Sequence, residues 1–214
     1  RFTYDAEITV PKGLLALMSA ENPQKVSPDG VYRFRMKQPI PAYLLALAVG
    51  DLAFFPFDQR CGVYAEPTLI NKSAYEFAEL PKMIHTAEEL YGAYAWERYD
   101  LLVLPKSFPF GGMENPRLTF ATPTIIAGDR SLTSLVAHEL AHSWSGNLVT
   151  NETWNDFWLN EGFTVYFENR IMEAMYGKEF ADMQRKLGQT GLFETIDELG
   201  VSSPDTRLKL ELQG

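Results

Sequence analysis

The chain has 214 residues, of which 46% are hydrophobic, 22% charged and 13% aromatic, and these fractions exclude collagen-like, low-complexity and disordered proteins. A phosphate backbone would repel its formal charge of −9, so no nucleic-acid partner is expected. The longest apolar run, residues 40–52, is interrupted by Asp51 and is shorter than the roughly 18 residues that a membrane span needs.

Strands are predicted for the first part of the chain. Residues 2–10 alternate apolar and polar side chains with a period of two, and a Pro-Lys-Gly turn follows at 11–13. Residues 43–49 are nearly all apolar, which predicts a strand buried on both faces. A further strand is predicted at 31–36, and residues 14–18 are either a second strand or a buried connection.

Beyond residue 57 the pattern changes to alternating strands and helices. We therefore expect a domain boundary near Phe57, between the end of an all-β domain (1–57) and an α/β domain (58–214). Pro81 predicts a break in the first helix, and a polar, strand-like tail is expected after residue 199. The predicted strands are 62–65, 99–104 and 116–122, and the predicted helices are 73–94, from Asp129 or Ser131 as N-cap to 145, 156–176 and 178–199.

Two of the three histidines lie four residues apart in the second predicted helix, in the sequence His-Glu-Leu-Ala-His. Residues i and i+4 share one helix face, so His138 and His142 can bind one metal ion. Glu139 lies about 100° around the helix, where its carboxylate can hold a water molecule and accept its proton. The alternative is a pair of histidines that are hydrogen-bonded in the core.

A catalytic zinc site needs a third protein ligand and one open position for water. Glu161, near the start of the next helix, is the candidate, because an anionic ligand partly offsets the charge of the dication. Asp156 and Glu168 are alternatives, although Asp156 lies at the helix start, where capping is its ordinary role.

A third feature is the segment Gly-Gly-Met-Glu-Asn at 111–115. Paired glycines allow another backbone to approach closely. Glu114 is the only acid in the aromatic and apolar stretch 108–127, where an unpaired carboxylate is costly, so it is a candidate for binding a substrate ammonium group. Taken alone, the segment also fits a surface turn.

These motifs together resemble the gluzincin family of zinc aminopeptidases, most closely the branch of leukotriene A4 hydrolase and aminopeptidase B. The family pattern is Gly-x-Met-Glu-Asn, then His-Glu-x-x-His, then a Glu eighteen residues beyond the second His. Here eighteen residues separate His142 from Glu161. The neighbouring segments at 39–41, 108–110, 147–150 and 158–162 also match, so the resemblance covers nearly the whole chain.

The resemblance implies an α/β, thermolysin-like catalytic domain that follows the end of a β-domain, and one Zn²⁺ per chain. His138, His142 and Glu161 would bind the metal, and Glu139 would be the general base. The substrates would be peptides with a free N-terminus, whose ammonium group Glu114 would hold. The rest of the substrate site would be Gly111, Gly112, Met113 and Asn115, with the glycine backbone pairing with the extended peptide.

The resemblance also implies parts that this chain lacks. The family's oxyanion-binding tyrosine lies well downstream of the zinc Glu, and its C-terminal helical domain and the first half of its β-domain are absent here. Tyr166 and Tyr176 lie too early to be that tyrosine and are expected to pack between helices. We therefore expect the chain to be the middle part of an enzyme and a weak peptidase on its own.

Two other functions stay open at this point. One is epoxide hydrolysis, the second activity of the branch. The other is a catalytically silent module that binds peptide N-termini, although the presence of Glu139 argues against it. The single cysteine, Cys61, fits a reducing compartment or simply a fold that needs no disulfide. We expect a cytoplasmic protein, with export left open because the natural N-terminus is expected upstream of Arg1.

Ordinary structural roles are expected for several conspicuous side chains. Trp144, Trp154 and Trp158 are expected to pack the two ligand-bearing helices together. Glu88 and Glu89, adjacent in the first predicted helix, are expected to form a solvated face.

Overall fold

The structure, a computed structural model, describes residues 1–212. Its mixture of strands and helices confirms the predicted α/β class. The strands are β1 (Phe2–Thr9), β2 (Leu15–Met18), β3 (Val31–Ile40), β4 (Leu47–Gly50), β5 (Ala53–Pro56), β6 (Cys61–Ala65), β7 (Tyr99–Val103), β8 (Gly112–Met113) and β9 (Thr119–Ala121). The α-helices are α1 (Ile70–Glu76), α2 (Leu80–Tyr91), α3 (Ser134–Ala141), α4 (Phe157–Tyr176) and α5 (Lys178–Leu199).

The N-terminal part consists of two antiparallel strand pairs, β1 with β3 and β2 with β4. In β3 the side chains of Tyr32, Phe34 and Met36 are buried, while Arg33 and Arg35 between them face solvent. This alternation follows from the period of two in a pleated strand. The strands predicted at the start of the chain are therefore confirmed.

The prediction of a doubly buried strand at 43–49 is wrong. The segment begins as a short 3-10 helix, Ala42–Leu44, and only then enters β4. Leu45, Leu47 and Val49 are 43%, 49% and 44% exposed. Because β4 belongs to a two-stranded sheet with one covered face, alternate side chains point to solvent even though all of them are apolar.

A five-stranded sheet in the order β5-β6-β7-β9-β8 forms the base of the second part. β6, β7 and β9 run parallel, and the outer strands β5 and β8 run antiparallel to their neighbours. The β5–β6 pair includes residues on both sides of Phe57, so the sheet crosses the predicted domain boundary. That boundary stays a proposal, and the pairing favours placing it at residues 51–52, between β4 and β5.

The helices follow the prediction with differences in their bounds. α1 begins at residue 70 and α2 ends at residue 91, where one interrupted helix over 73–94 was expected. The expected break lies at residues 77–79, and Pro81 stands in the first turn of α2, where a missing N–H costs little. α3 begins after Thr133, not at Asp129 or Ser131, because the Asp129 carboxylate accepts the Ser131 N–H (3.0 Å) in a turn before the helix. It also ends at Ala141, before a tight turn, and not at 145.

The end of the chain differs from the expected strand-like tail. A 3-10 helix, Pro204–Thr206, follows α5, and residues 207–212 contain no strand. Proline supports a helical first turn because its φ is already set for it. Within residues 1–212, no helix has the length and apolarity that crossing a bilayer requires.

The core that positions the site lies between the five-stranded sheet and the helices. α3 is its central element: Ala137, Leu140 and Ala141 are completely buried, and the helix contacts α4, α2, β8 and β9. Its opposite face, which carries both histidines, opens into a cleft. The histidine motif is therefore carried by a helix whose other side is packed in the core.

Candidate metal centre

Helix α3 brings the two histidines together as their spacing predicts. Nε2 of His138 lies 3.2 Å from Nε2 of His142, and the two rings are nearly perpendicular at 82°. His142 is 2% exposed, while His138 is partly open to the cleft. The alternative of a purely internal histidine pair does not fit, because both side chains line a cleft.

Glu161, on the second turn of α4, completes the cluster. Its Oε2 lies 3.3 Å from Nε2 of His138, and its Oε1 lies 3.7 Å from Nε2 of His142. One ligating atom from each of the three residues falls within 4.8 Å of the others, as for side chains that can surround one ion. Two imidazoles and one carboxylate are the donor set of a catalytic zinc site, so these residues fit that metal.

Neither of the two alternative third ligands belongs to this cluster. Asp156 stands at the N-cap position of α4, but its carboxylate accepts a hydrogen bond from the Thr153 hydroxyl (2.9 Å) and none from a backbone N–H of the helix. Glu168 contacts His138 from behind, with Oε2 3.0 Å from Nδ1, the ring nitrogen that faces away from the cluster. A carboxylate at this position fixes the orientation of an imidazole.

The imidazole of His142 is also held through its Nδ1 atom. Nδ1 of His142 lies 3.1 Å from the Ser145 carbonyl oxygen and 3.2 Å from the Thr164 hydroxyl oxygen. A carbonyl can only accept, so Nδ1 carries the proton and Nε2 presents a lone pair to the cluster. Sequence reasoning missed Thr164, and its place three residues after Glu161 was the only available signal.

The two histidines of the cluster have very different pKa values. Burial, together with the nearby charge of His138, lowers the pKa of His142 to about 4. Burial lowers the pKa of His138 too, but hydrogen bonds with Glu161 and Glu168 outweigh it and raise that pKa to about 10. His142 is therefore neutral at pH 7, the form in which an imidazole binds a metal, whereas His138 is protonated and must lose its proton to bind one.

Glu139 is a buried acid with free hydrogen-bonding capacity. It is 6% exposed and lines the cleft, and its Oε2 has no hydrogen-bond partner among residues 1–212. Burial, reinforced by the negative charges around it, raises the pKa of Glu139 to about 8. A carboxyl group with this pKa can take up and release a proton near neutral pH.

The Gly-Gly-Met-Glu-Asn segment lies across the cleft from α3. Gly112 and Met113 form β8, the edge strand of the five-stranded sheet, and its outer side has no strand partner within the described chain. Gly111, Gly112, Met113 and Glu114 line the cleft, whereas Asn115 is buried behind it at 3% exposure. An unpaired edge of this kind can accept an extended peptide.

Glu114 itself is 8% exposed, and no basic side chain within residues 1–212 forms an ion pair with it. Burial raises the pKa of Glu114, and the negative charge of Glu161 adds to this. A buried carboxylate without a cation is costly, so a ligand that supplies one binds favourably.

The cleft measures about 610 Å³, and four aromatic side chains line it: Tyr43, Phe110, Trp154 and Phe157. Sequence reasoning missed Tyr43 and Phe157 and interpreted Trp154 otherwise. The Tyr43 hydroxyl accepts a hydrogen bond from the Asn160 side chain (3.4 Å), and its ring packs edge-on against Trp154, with centroids 5.1 Å apart. Tyr43 follows the segment 39–41 that the family comparison singled out, but no local pattern marked it as part of a cleft.

The three tryptophans that were expected to pack the ligand-bearing helices together do not do so. Trp144 is buried, but against Tyr91 and Tyr94 and not between the ligand helices. Trp154 and Trp158 are 51% and 36% exposed, so the packing prediction is wrong for both. Trp154 lies in a short 3-10 helix just before α4, and Trp158 lies in the first turn of α4.

The two early tyrosines differ from each other. The Tyr176 hydroxyl donates to Glu79 on the segment before α2 (2.7 Å), as expected for a packing residue. Tyr166 is 56% exposed, so its predicted packing role is wrong. Neither side chain lines the cleft.

The pair Glu88 and Glu89 does not form a common solvated face. Glu88 accepts two hydrogen bonds from the Arg60 guanidinium, at 2.9 and 2.8 Å, and a third from the Tyr94 N–H. Glu89 points to solvent and lies near His85. The prediction is therefore wrong for Glu88, because the loop before β6 brings a distant arginine to it.

The chain is similar to known proteins in both sequence and structure. The chain is 51% identical over 213 residues to leukotriene A-4 hydrolase of Xenopus laevis, covering 97% of this chain and 35% of that protein. It is 46% identical over 212 residues to aminopeptidase B of Rattus norvegicus, covering 99% of this chain and 32% of that protein. The structure of native yeast LTA4 hydrolase superposes with a TM-score of 0.91 at 44% identity, over 99% of this chain and 33% of that one.

This chain therefore spans about a third of the length of these relatives. The LTA4 hydrolase match also bears out the thermolysin-like form of the catalytic domain. A model described as the peptidase family M1 domain matches residues 75–207, which include every residue of the metal cluster and more than half of the chain. The chain belongs to peptidase family M1.

Proposed function

We propose that the protein is a zinc aminopeptidase that hydrolyses the N-terminal peptide bond of peptides. The observation that carries this proposal is the arrangement of three functions in one cleft. A cluster of His138, His142 and Glu161 lies beside the buried acid Glu139, and Glu114 lies opposite, without a cation partner. A free α-ammonium group is the substrate feature that such a carboxylate favours.

The roles of the residues follow from their positions. Glu139 accepts the proton of the attacking water and delivers it to the leaving amine, since it lies on α3 beside the histidines and has an unpartnered oxygen. Glu114 holds the substrate ammonium, so cleavage occurs after the first residue. Bound by His138, His142 and Glu161, Zn²⁺ supplies Lewis-acid polarisation of the substrate carbonyl and the water. β8 aligns the substrate backbone as an added strand.

Peptide turnover tests the proposal. We expect the complete protein to hydrolyse aminoacyl-anilides and to lose this activity when a chelator removes the metal. The same anilides with an acetylated amine should be poor substrates. Binding of peptide N-termini without any turnover would instead support the silent binding module.

A second candidate function is hydrolysis of a lipid epoxide, which the similarity to leukotriene A-4 hydrolase favours. The described residues contain no further feature that separates it from peptide hydrolysis. Incubation of the complete protein with a lipid epoxide, followed by product analysis, tests it independently of the peptidase assay.

A cytoplasmic location also belongs to the proposal. Cys61, the single cysteine, is buried and free, which suits a reducing compartment. Fractionation of cells that produce the complete protein tests this point.

A further inference from the structure

We propose that Asn147 is a positioning residue that sets Glu114 at a fixed place relative to the metal-binding helix. The inference rests on the proposed function, because it assigns Glu114 to the substrate ammonium group. Asn147 does not line the cleft, so it acts through Glu114 and not by touching the substrate.

Hydrogen bonds from the backbone and from the side chain of Asn147 connect the two sides of the cleft. Its backbone N–H donates to the carbonyl oxygen of His142 (3.0 Å), and its side-chain Nδ2 donates to the carbonyl oxygen of Glu114 (2.8 Å). The residue is 2% exposed, and both bonds are shielded from water. One residue therefore links a candidate metal ligand to the candidate ammonium-binding carboxylate.

The turn that carries Asn147 has a backbone conformation and a close packing that favour glycine at residue 146. Gly146, just before it, has φ +108°, a conformation that side chains rarely adopt. A Cβ at this glycine would also lie 2.7 Å from Oδ1 of Asn160, the residue before Glu161. The turn is thus packed against both ligand-bearing elements, which leaves Asn147 little freedom to move.

The backbone of Glu114 lies just past the last residue pair between β8 and β9, so its carbonyl oxygen needs a hydrogen-bond donor from outside the sheet. The last pair between β8 and β9 is Met113 with Phe120, so the Glu114 carbonyl has no strand partner. It accepts its hydrogen bond from Asn147 instead. Without that bond the carbonyl would be buried without a partner, and the segment would be free to shift by the small distances that matter in substrate binding.

The side chain and the backbone of Asn147 have separable effects. Asn147→Ala removes the bond to Glu114 but keeps the N–H that donates to His142. We therefore expect zinc content to stay at one per protein, while kcat/KM for a free-amine anilide falls about 10-fold, mainly through KM. Asn169→Ala is the matched control, because the Asn169 amide donates only within its own helix, to the Val165 carbonyl (2.9 Å).

A double-mutant cycle separates positioning from general destabilisation. Leucinol, which has a free amine, and N-acetylleucinol serve as competitive probes. Asn147→Ala should reduce the preference for leucinol about 10-fold in the wild-type background. In a Glu114→Ala background the same change should alter kcat/KM less than about twofold, since the group to be positioned is already missing.

The outcomes are distinct. Equal losses in both backgrounds, or a preference for leucinol that Asn147→Ala leaves unchanged, overturn the positioning role alone. A wild-type protein without any preference for leucinol overturns the ammonium-binding role of Glu114 and this inference with it. If Asn147→Ala does not fold, Asn147→Ser decides in the same cycle: its shorter donor should give a smaller loss that again disappears in the Glu114→Ala background.

Discussion

Gly112 on the edge strand and Glu139 on the metal-binding helix occupy adjoining space. A Cβ at Gly112 would lie 2.2 Å from Oε1 and 2.5 Å from Cδ of Glu139, closer than atoms approach without displacement. The glycine is therefore required by the position of the carboxylate, and the two motifs that carry these residues fit together as one unit.

This contact predicts the effect of Gly112→Ala. The methyl group should push the Glu139 carboxylate from its place, so kcat of the complete protein should fall at least about 10-fold with zinc still bound. Gly188→Ala is the control, since nothing lies within 4 Å of a Cβ there and the exposed helix should gain up to about 1 kcal/mol. Normal turnover by Gly112→Ala would show that Glu139 can act from another position.

Glu139→Gln separates the shape of the side chain from its proton chemistry. The amide keeps the size of the residue but cannot accept a proton, so kcat should fall by at least roughly 10²-fold. Metal analysis of the same preparation should still find zinc. Turnover close to that of the wild type would mean that a different group activates the water.

The metal cluster predicts binding of about one Zn²⁺, with Zn–N distances near 2.0–2.1 Å and Zn–O distances near 2.0–2.2 Å, measurable by X-ray absorption. His138→Ala or His142→Ala should remove most of the affinity. Zinc should also raise the unfolding temperature, since it binds only the folded state. Stoichiometric zinc in the protein with both substitutions would disprove the site.

Glu114→Ala should lower kcat/KM strongly for substrates with a free amine, because a charge-assisted contact is lost. Acetylated substrates should be poor for the wild-type protein and change little on substitution. The ratio of kcat/KM for the two substrates measures the role directly. An unchanged ratio would contradict it.

The Arg60–Glu88 pair predicts a pH-dependent stability. The hydrogen bonds from Arg60 lower the pKa of Glu88, so the pair stabilises the fold at neutral pH and loses its effect as the carboxylate is protonated below about pH 4. Glu88→Gln should reduce the free energy of unfolding by about 1 kcal/mol at pH 7, a value limited by the partial exposure of the pair. The difference from the wild type should shrink at pH 3.

Glu89→Gln is the matched control for this pair, because Glu89 is exposed and adjacent in sequence. It should leave the free energy of unfolding unchanged within about 0.5 kcal/mol at pH 7. Equal effects of the two substitutions would show that the bidentate contact contributes nothing specific.

The local features of the site could be predicted from the sequence. A helix places residues i and i+4 on one face, so the spacing of His138 and His142 already implied that their rings converge. The bounds of α4 and α5 also follow from local signals, since glycine ends each of these helices. The family resemblance, carried by short motifs at fixed spacing, then favoured Glu161 over Asp156 and Glu168 as the third ligand.

Other features depend on contacts between distant segments, which no local pattern encodes. Asn147 reaches Glu114 across 33 positions, and Arg60 reaches Glu88 across 28. The exposure of β4 was mispredicted for the same reason, because an apolar strand is buried on both faces only if a second layer covers it. The sequence by itself thus determined the candidate groups for the chemistry, since helical geometry is local. Only the tertiary structure decided how those groups are held, since that depends on which surfaces meet.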